Sequence, residues 1–124
     1  MKILSVDDSA MIRKIISRSI SVLGFDLLEA GNGVEALAVL EEHYTETDLI
    51  LLDWNMPEMD GFETLQRIKA DERFKHIPVM MVTTEVERAN VIKAIQAGAK
   101  NYLSKPFTPE DLTTKIMETM GLGL

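Results

Sequence analysis

Leu49-Ile50-Leu51-Leu52-Asp53-Trp54-Asn55-Met56-Pro57 reads as a strand that ends on a carboxylate and then turns. Four unbroken apolar residues suit a strand buried on both faces, and Asn55 and Pro57 suit the loop that leaves it. Ile3 to Val6 and Val79 to Val82 are runs of the same kind, the first ending in Asp7-Asp8 and the second in Thr83. Phe25 to Leu28 and Asn101 to Ser104 are more mixed, as edge strands are, and the latter runs into Lys105. Apolar runs without alternation indicate a parallel sheet, which needs crossover helices on both faces.

The intervening segments have helical period. Ile12, Ile16, Ile20 and Leu23 mark a first helix that stops at Gly24, a residue suited to a left-handed C-terminal turn. Asn32 with Glu35, and Asp60 with Glu63, pair a capping side chain with a returning carboxylate three residues on, the pattern of a capping box. They open a second helix carrying Ala36, Leu37 and Leu40 and a third carrying Phe62, Leu65 and Ile68. A fourth helix, about Glu87 to Ala97, is predicted to bury Val91, Ile92 and Ile95 and to close at Gly98. Thr108-Pro109-Glu110 opens a fifth that runs to Gly121, with an N-cap hydroxyl, a proline in the first turn and an acid beside it.

Five β-α units predict a doubly wound (βα)5 α/β fold of the flavodoxin-like kind, with five parallel strands in the order 2-1-3-4-5. The 124 residues suffice for one domain, expected over 1–124 without a separate output domain. There is no cysteine, and the 13 basic and 20 acidic residues give a net charge of −7. That balance opposes direct binding to nucleic acid or anionic lipid. The short apolar stretch after Met1 ends at Asp7, so a cytoplasmic location is expected.

In open α/β sheets ligands bind at the carboxyl ends of the strands. Reading off those ends gives Asp7, Asp8, Asp53, Thr83 and Lys105. Singly each has a plain explanation: a turn or cap for Asp, a strand former for Thr, a solvated charge for Lys. Together they require more, because carboxylates about 5 Å apart repel by roughly 3 kcal/mol per pair at an effective dielectric of 20. Lys105 supplies one compensating charge, and a divalent cation is the natural second. An all-oxygen donor set suits Mg²⁺, with Mn²⁺ as the alternative, and neither His43 nor His76 lies at a strand end. A carboxylate beside such a cation, an ammonium and a hydroxyl can accept a phosphoryl group. Asp53 is the best nucleophile, since it stands alone at the end of a central strand, leaving Asp7 and Asp8 to hold the metal.

Val6-Asp7-Asp8-Ser9, Leu52-Asp53-Trp54-Asn55-Met56-Pro57, Asp60-Gly61, Val82-Thr83, and Gly98-Ala99 leading to Tyr102-Leu103-Ser104-Lys105-Pro106-Phe107 resemble the motifs of the response-regulator receiver domain. The resemblance covers the chain in order and spacing and is most specific to single-domain receivers of the chemotaxis type. It implies that Asp53 is the phosphoacceptor, charged by a CheA-like histidine kinase. It implies Mg²⁺ held by Asp8 and Asp53 and by the Asn55 backbone carbonyl, with Asp7 acting through a water. Lys105 would reach the phosphoryl oxygens and its bond to Pro106 would be cis. Thr83 and Tyr102 would form the switch, and Asn55 and Glu85 would tune dephosphorylation. Thr84 departs from the Ala or Gly common in the family and is expected to restrict access to the site.

The function so implied is a phosphorylation-dependent signalling switch that catalyses only its own phosphoryl transfer and autodephosphorylation. The face of helix four, strand five and helix five, including Lys93, Gln96, Lys100 and Tyr102, would meet the flagellar motor switch. A monomer is expected, with a phosphatase as a further partner. A phosphorelay shuttle would use the same site. A Mg²⁺-dependent aspartyl phosphohydrolase of the dehalogenase type would need Asp-x-Asp rather than the adjacent Asp7-Asp8. A flavin binder would need a Ser- and Gly-rich loop there. Met80, Met81, Met117 and Met120 read as core, and Arg67, Lys69, Arg73 and Lys75 as a solvated helix end.

Overall fold

In the computed structural model, which describes residues 1–122, strands and helices alternate along the chain. The strands are β1 (Lys2–Val6), β2 (Asp26–Ala30), β3 (Leu49–Leu52), β4 (Val79–Thr83) and β5 (Asn101–Ser104). The helices are α1 (Ala10–Val22), α2 (Gly33–His43), α3 (Gly61–Ala70), α4 (Arg88–Gln96) and α5 (Pro109–Thr119), with a short 3-10 turn at Tyr44–Glu46. All pairings are parallel, in the order β2-β1-β3-β4-β5. This is the predicted doubly wound sheet.

The period of two along the central strands divides the core into two layers. Leu4, Val6, Ile50, Leu52, Val79 and Met81 meet Ala36, Leu40, Leu65, Ile68 and Ala94 of α2, α3 and α4. Ile3, Leu49, Leu51, Met80, Val82 and Leu103 meet Ile16, Ile20, Leu112 and Ile116 of α1 and α5. Every residue of β3 and β4 is buried, as strands covered on both faces must be.

Edge positions and caps depart from the sequence reading in instructive ways. β2 runs from Asp26 to Ala30 rather than Phe25 to Leu28, because Lys2 to Val6 pair with those residues in register. Phe25 instead donates its N–H to Ile20 O at 3.2 Å and Gly24 adopts φ 75°, closing α1. Asn32 and Asp60 do cap their helices, but the carboxylates three residues on do not complete a box. Glu35 accepts from Gly31 N at 3.0 Å, and Glu63 pairs with Arg67. The full box belongs to α5, between Thr108 and Asp111.

α4 packs on a different face from the one expected. Ala94 is its buried residue, Val91 is half-buried, and Ile92 and Ile95 are each 46% exposed. The apolar spacing marked two faces of the helix, and only the small Ala94 lies against the sheet. Lys69 is also not solvated: its ammonium donates to Ile77 O at 2.9 Å and Lys75 O at 3.1 Å, and burial lowers its pKa. Met80 and Met81 are core residues, whereas Met117 and Met120 are half-buried. Among the described residues no helix is long and apolar enough to cross a membrane.

Candidate functional site

Backbone pairing runs one residue past the ends of β1, β3 and β5, and that extension places the site. Asp7 N–H donates to Ala30 O at 3.0 Å, Asp53 N–H to Val6 O at 3.0 Å, and Lys105 N–H to Thr83 O at 2.9 Å. The side chains predicted to act together are thereby gathered at the carboxyl edge of β1, β3, β4 and β5. Carboxylate oxygens of Asp7, Asp8 and Asp53 lie within 4.8 Å of one another. Asp7 and Asp53 are 2% and 6% exposed, while Asp8 and Asn55 are open to solvent.

Lys105 ties the two buried acids together. Its Nζ is 2.6 Å from Asp7 Oδ2 and 3.1 Å from Asp53 Oδ2. Asp7 is then fully engaged, because Oδ1 accepts the Ser9 N–H at 2.8 Å. Asp53 is not: its Oδ1 is buried without a hydrogen-bond partner among the described residues. Such an atom is costly unless a further group satisfies it. Burial pushes the Asp7 carboxyl above its ordinary value, against the opposing hydrogen bonds from Lys105 and Ser9. At Lys105 burial works to lower the pKa, and the two carboxylates more than reverse it. One ammonium thus does not neutralise three acids. The donor set, all oxygen and in excess of charge, fits a hard divalent cation.

Thr83 is fully buried and its Oγ1 accepts the Glu85 N–H at 3.1 Å, so the hydroxyl is engaged by its own loop. Tyr102 donates its hydroxyl to the Glu85 carbonyl. Burial, aided by the charges of Glu85 and Asp53, pushes this phenol up to about 12. Glu85 Oε1 accepts from Glu87 N at 3.1 Å and Asn90 Nδ2 at 3.2 Å, which turns that carboxylate toward the start of α4. Thr84 is exposed between Thr83 and Glu85. The Lys105-Pro106 bond is cis.

The residues that support this site were not expected from the sequence. Ser9 caps α1 while donating to Asp7, and Arg13, one turn into α1, donates from Nη1 to Asp7 O at 2.7 Å. Asn90 holds Glu85. Arg13 could have been found from its spacing, since a long side chain in the first turns of a helix can reach back over the preceding loop. Asn90 gave no such signal.

Residues 3–117 match the model of the response regulator receiver domain. Chemotaxis protein CheY1 of Helicobacter pylori (strain J99) is 48% identical over 122 residues, covering 98% of each chain. The structure is similar to the Vibrio cholerae chemotaxis protein CheY4, with a TM-score of 0.88, 35% identity, and coverage of 95% of this chain and 97% of that one. It is also similar to the CheY chain of a CheX-CheY-BeF3-Mg²⁺ complex from Borrelia burgdorferi. There the TM-score is 0.91 at 28% identity, covering 95% of this chain and 87% of that one.

Proposed function

Because the chain belongs to the response-regulator receiver family, we propose that it is a chemotaxis switch that accepts a phosphoryl group on Asp53. The observation that carries this reading is Asp53 itself: Lys105 occupies one carboxylate oxygen, and the other is buried and unpartnered among the described residues. A carboxylate oxygen so placed is available to a cation or to an incoming phosphoryl group.

In the transfer, an Asp53 oxygen forms the new bond to phosphorus as the bond from phosphorus to the donor breaks. The donor's imidazole or carboxylate leaves with the electron pair. Lys105 stays beside Asp53 and neutralises charge on a phosphoryl oxygen. Asp7, Asp8, Asp53 and the Asn55 carbonyl would hold Mg²⁺, which when bound supplies the remaining charge neutralisation. Thr83 gives up its bond to the Glu85 N–H and donates its hydroxyl to the phosphoryl group. Tyr102, already bonded to the Glu85 carbonyl, fixes the loop in its new position. Hydrolysis returns the chain to its starting state at a rate set by Asn55 and Glu85 and limited by Thr84 at the entrance.

The donor is a histidine kinase of the CheA type and the output partner is the flagellar motor switch, met by the surface of α4, β5 and α5. Similarity to CheY proteins along nearly the whole chain favours this over a phosphorelay shuttle. Incubation with Mg²⁺ and acetyl phosphate is expected to add one phosphoryl mass, and Asp53→Asn or chelation of Mg²⁺ to abolish it. An unchanged wild-type mass, or steady hydrolysis of unrelated phosphate esters, would count against the reading. A pull-down with the beryllofluoride-loaded chain is expected to enrich a motor-switch component that the unloaded chain does not.

A further inference from the structure

Trp54, which follows Asp53 directly, stacks on Phe62 of α3 with ring centroids 5.3 Å apart and planes 21° from parallel. On α4, Lys93 Nζ lies 4.6 Å from the centre of the same Phe62 ring. A loop beside the carboxylate site, the helix after it and the helix after the next strand are thus joined in one ladder.

The ladder is stiff at its inner end. Gly61 N–H donates to Trp54 O at 2.7 Å. A Cβ on Gly61 would come within 2.0 Å of Asp53 O and 2.7 Å of Trp54 Cα. The Asp53-Trp54 backbone and the first turn of α3 therefore move as one body. At its outer end the ladder is lightly held: the ion pairs among the described residues include none to Lys93. Helix α4 has no side-chain cap at its N-terminus and leaves Ile92 and Ile95 exposed. A cation whose close partner is an aromatic face is attracted by the ring quadrupole, so this contact helps to orient a loosely anchored helix.

We propose that the Trp54-Phe62-Lys93 ladder is a second line of communication from Asp53 to α4, beside Thr83 and Tyr102, with Phe62 and Lys93 as positioning residues. The proposal rests on the reading that Asp53 takes the phosphoryl group. A change at Asp53 displaces the indole next to it, the indole moves Phe62, and Lys93 carries the shift into α4. The coupling is reciprocal: a partner carboxylate that draws Lys93 off the ring alters the stability of the loaded state.

The test compares wild type, Lys93→Gln, Lys93→Arg and Phe62→Leu, each with and without Mg²⁺ and beryllofluoride. Fluorine NMR reports uptake at Asp53, hydrogen exchange reports the amides of Arg88–Gln96, and Trp54, the single tryptophan, reports by its emission. At saturating Mg²⁺ and beryllofluoride, Lys93→Gln is expected to be as fully loaded as wild type while the exchange response of α4 falls to less than half. Phe62→Leu is expected to lose the same response, and Lys93→Arg to restore it. A full α4 response in Lys93→Gln, with uptake intact, overturns the ladder and leaves the Asp53 reading standing. Absence of uptake in wild type overturns both.

Discussion

At the scale of single residues, two buried groups carry a measurable cost. The Asp7 carboxyl has a raised pKa in the folded chain, caused first by burial. A raised value means the folded state holds the proton more tightly than the unfolded state. The stability that the protonated acid confers is therefore complete below its ordinary value of 3.8 and is lost as pH rises through the folded-state value. At neutral pH the burial of ionised Asp7 opposes folding, offset only in part by Lys105, until a further cation compensates it. Asp7→Asn is expected to raise the urea midpoint in EDTA at pH 7, to flatten its acid-side dependence, and to shrink the gain on adding Mg²⁺; a lower midpoint in EDTA would refute this. Ser5 is a second case, since its hydroxyl is fully buried in β1 with no partner among the described residues. Ser5→Ala is expected to stabilise the fold by about 1 kcal/mol, read as a higher urea midpoint at unchanged slope. The acids and Lys105 were legible in the sequence because strand ends in this topology converge. The unpartnered hydroxyl was not, because an apolar run containing one serine looks the same whether or not that serine finds an acceptor.

At the scale of elements, strand identity followed from unbroken apolar runs, and helix starts from Asn32, Asp60 and Thr108, all of which cap as expected. What the returning carboxylates do was not legible. Glu63 can bond backward to a cap or forward to Arg67, and the i,i+4 ion pair wins. α4 was the harder problem, because Val91, Ile92 and Ile95 mark an apolar helix without saying which side faces the sheet. Only packing resolves it, with Ala94 inward. Substituting Ile95→Ser is therefore expected to change stability by no more than about 0.5 kcal/mol, whereas Ile68→Ser, within the core, is expected to cost several times that. Urea denaturation of the two variants distinguishes the packing described here from one with Ile95 buried. An exposed apolar helix face beside Lys93 and Lys100 is also the chemistry expected of a surface that binds another protein.

At the scale of the whole molecule, the net charge of −7 is unevenly arranged. Three acids are gathered at one sheet edge with Lys105 between two of them. Phosphorylation would add a further charge of about −1.5 to −2 at that edge, where Thr83, Tyr102 and the Trp54-Phe62 stack all connect to α4 or the loop before it. Asp53 is the residue proposed to receive this charge. The most direct measurement treats the full chain with Mg²⁺ and acetyl phosphate, reduces the acyl phosphate with borohydride to leave homoserine, and locates the modified residue by peptide mass spectrometry. One modified position per chain is expected, at Asp53, and none in EDTA. Modification at Asp7 or Asp8 instead, or none in the presence of Mg²⁺, would contradict that assignment.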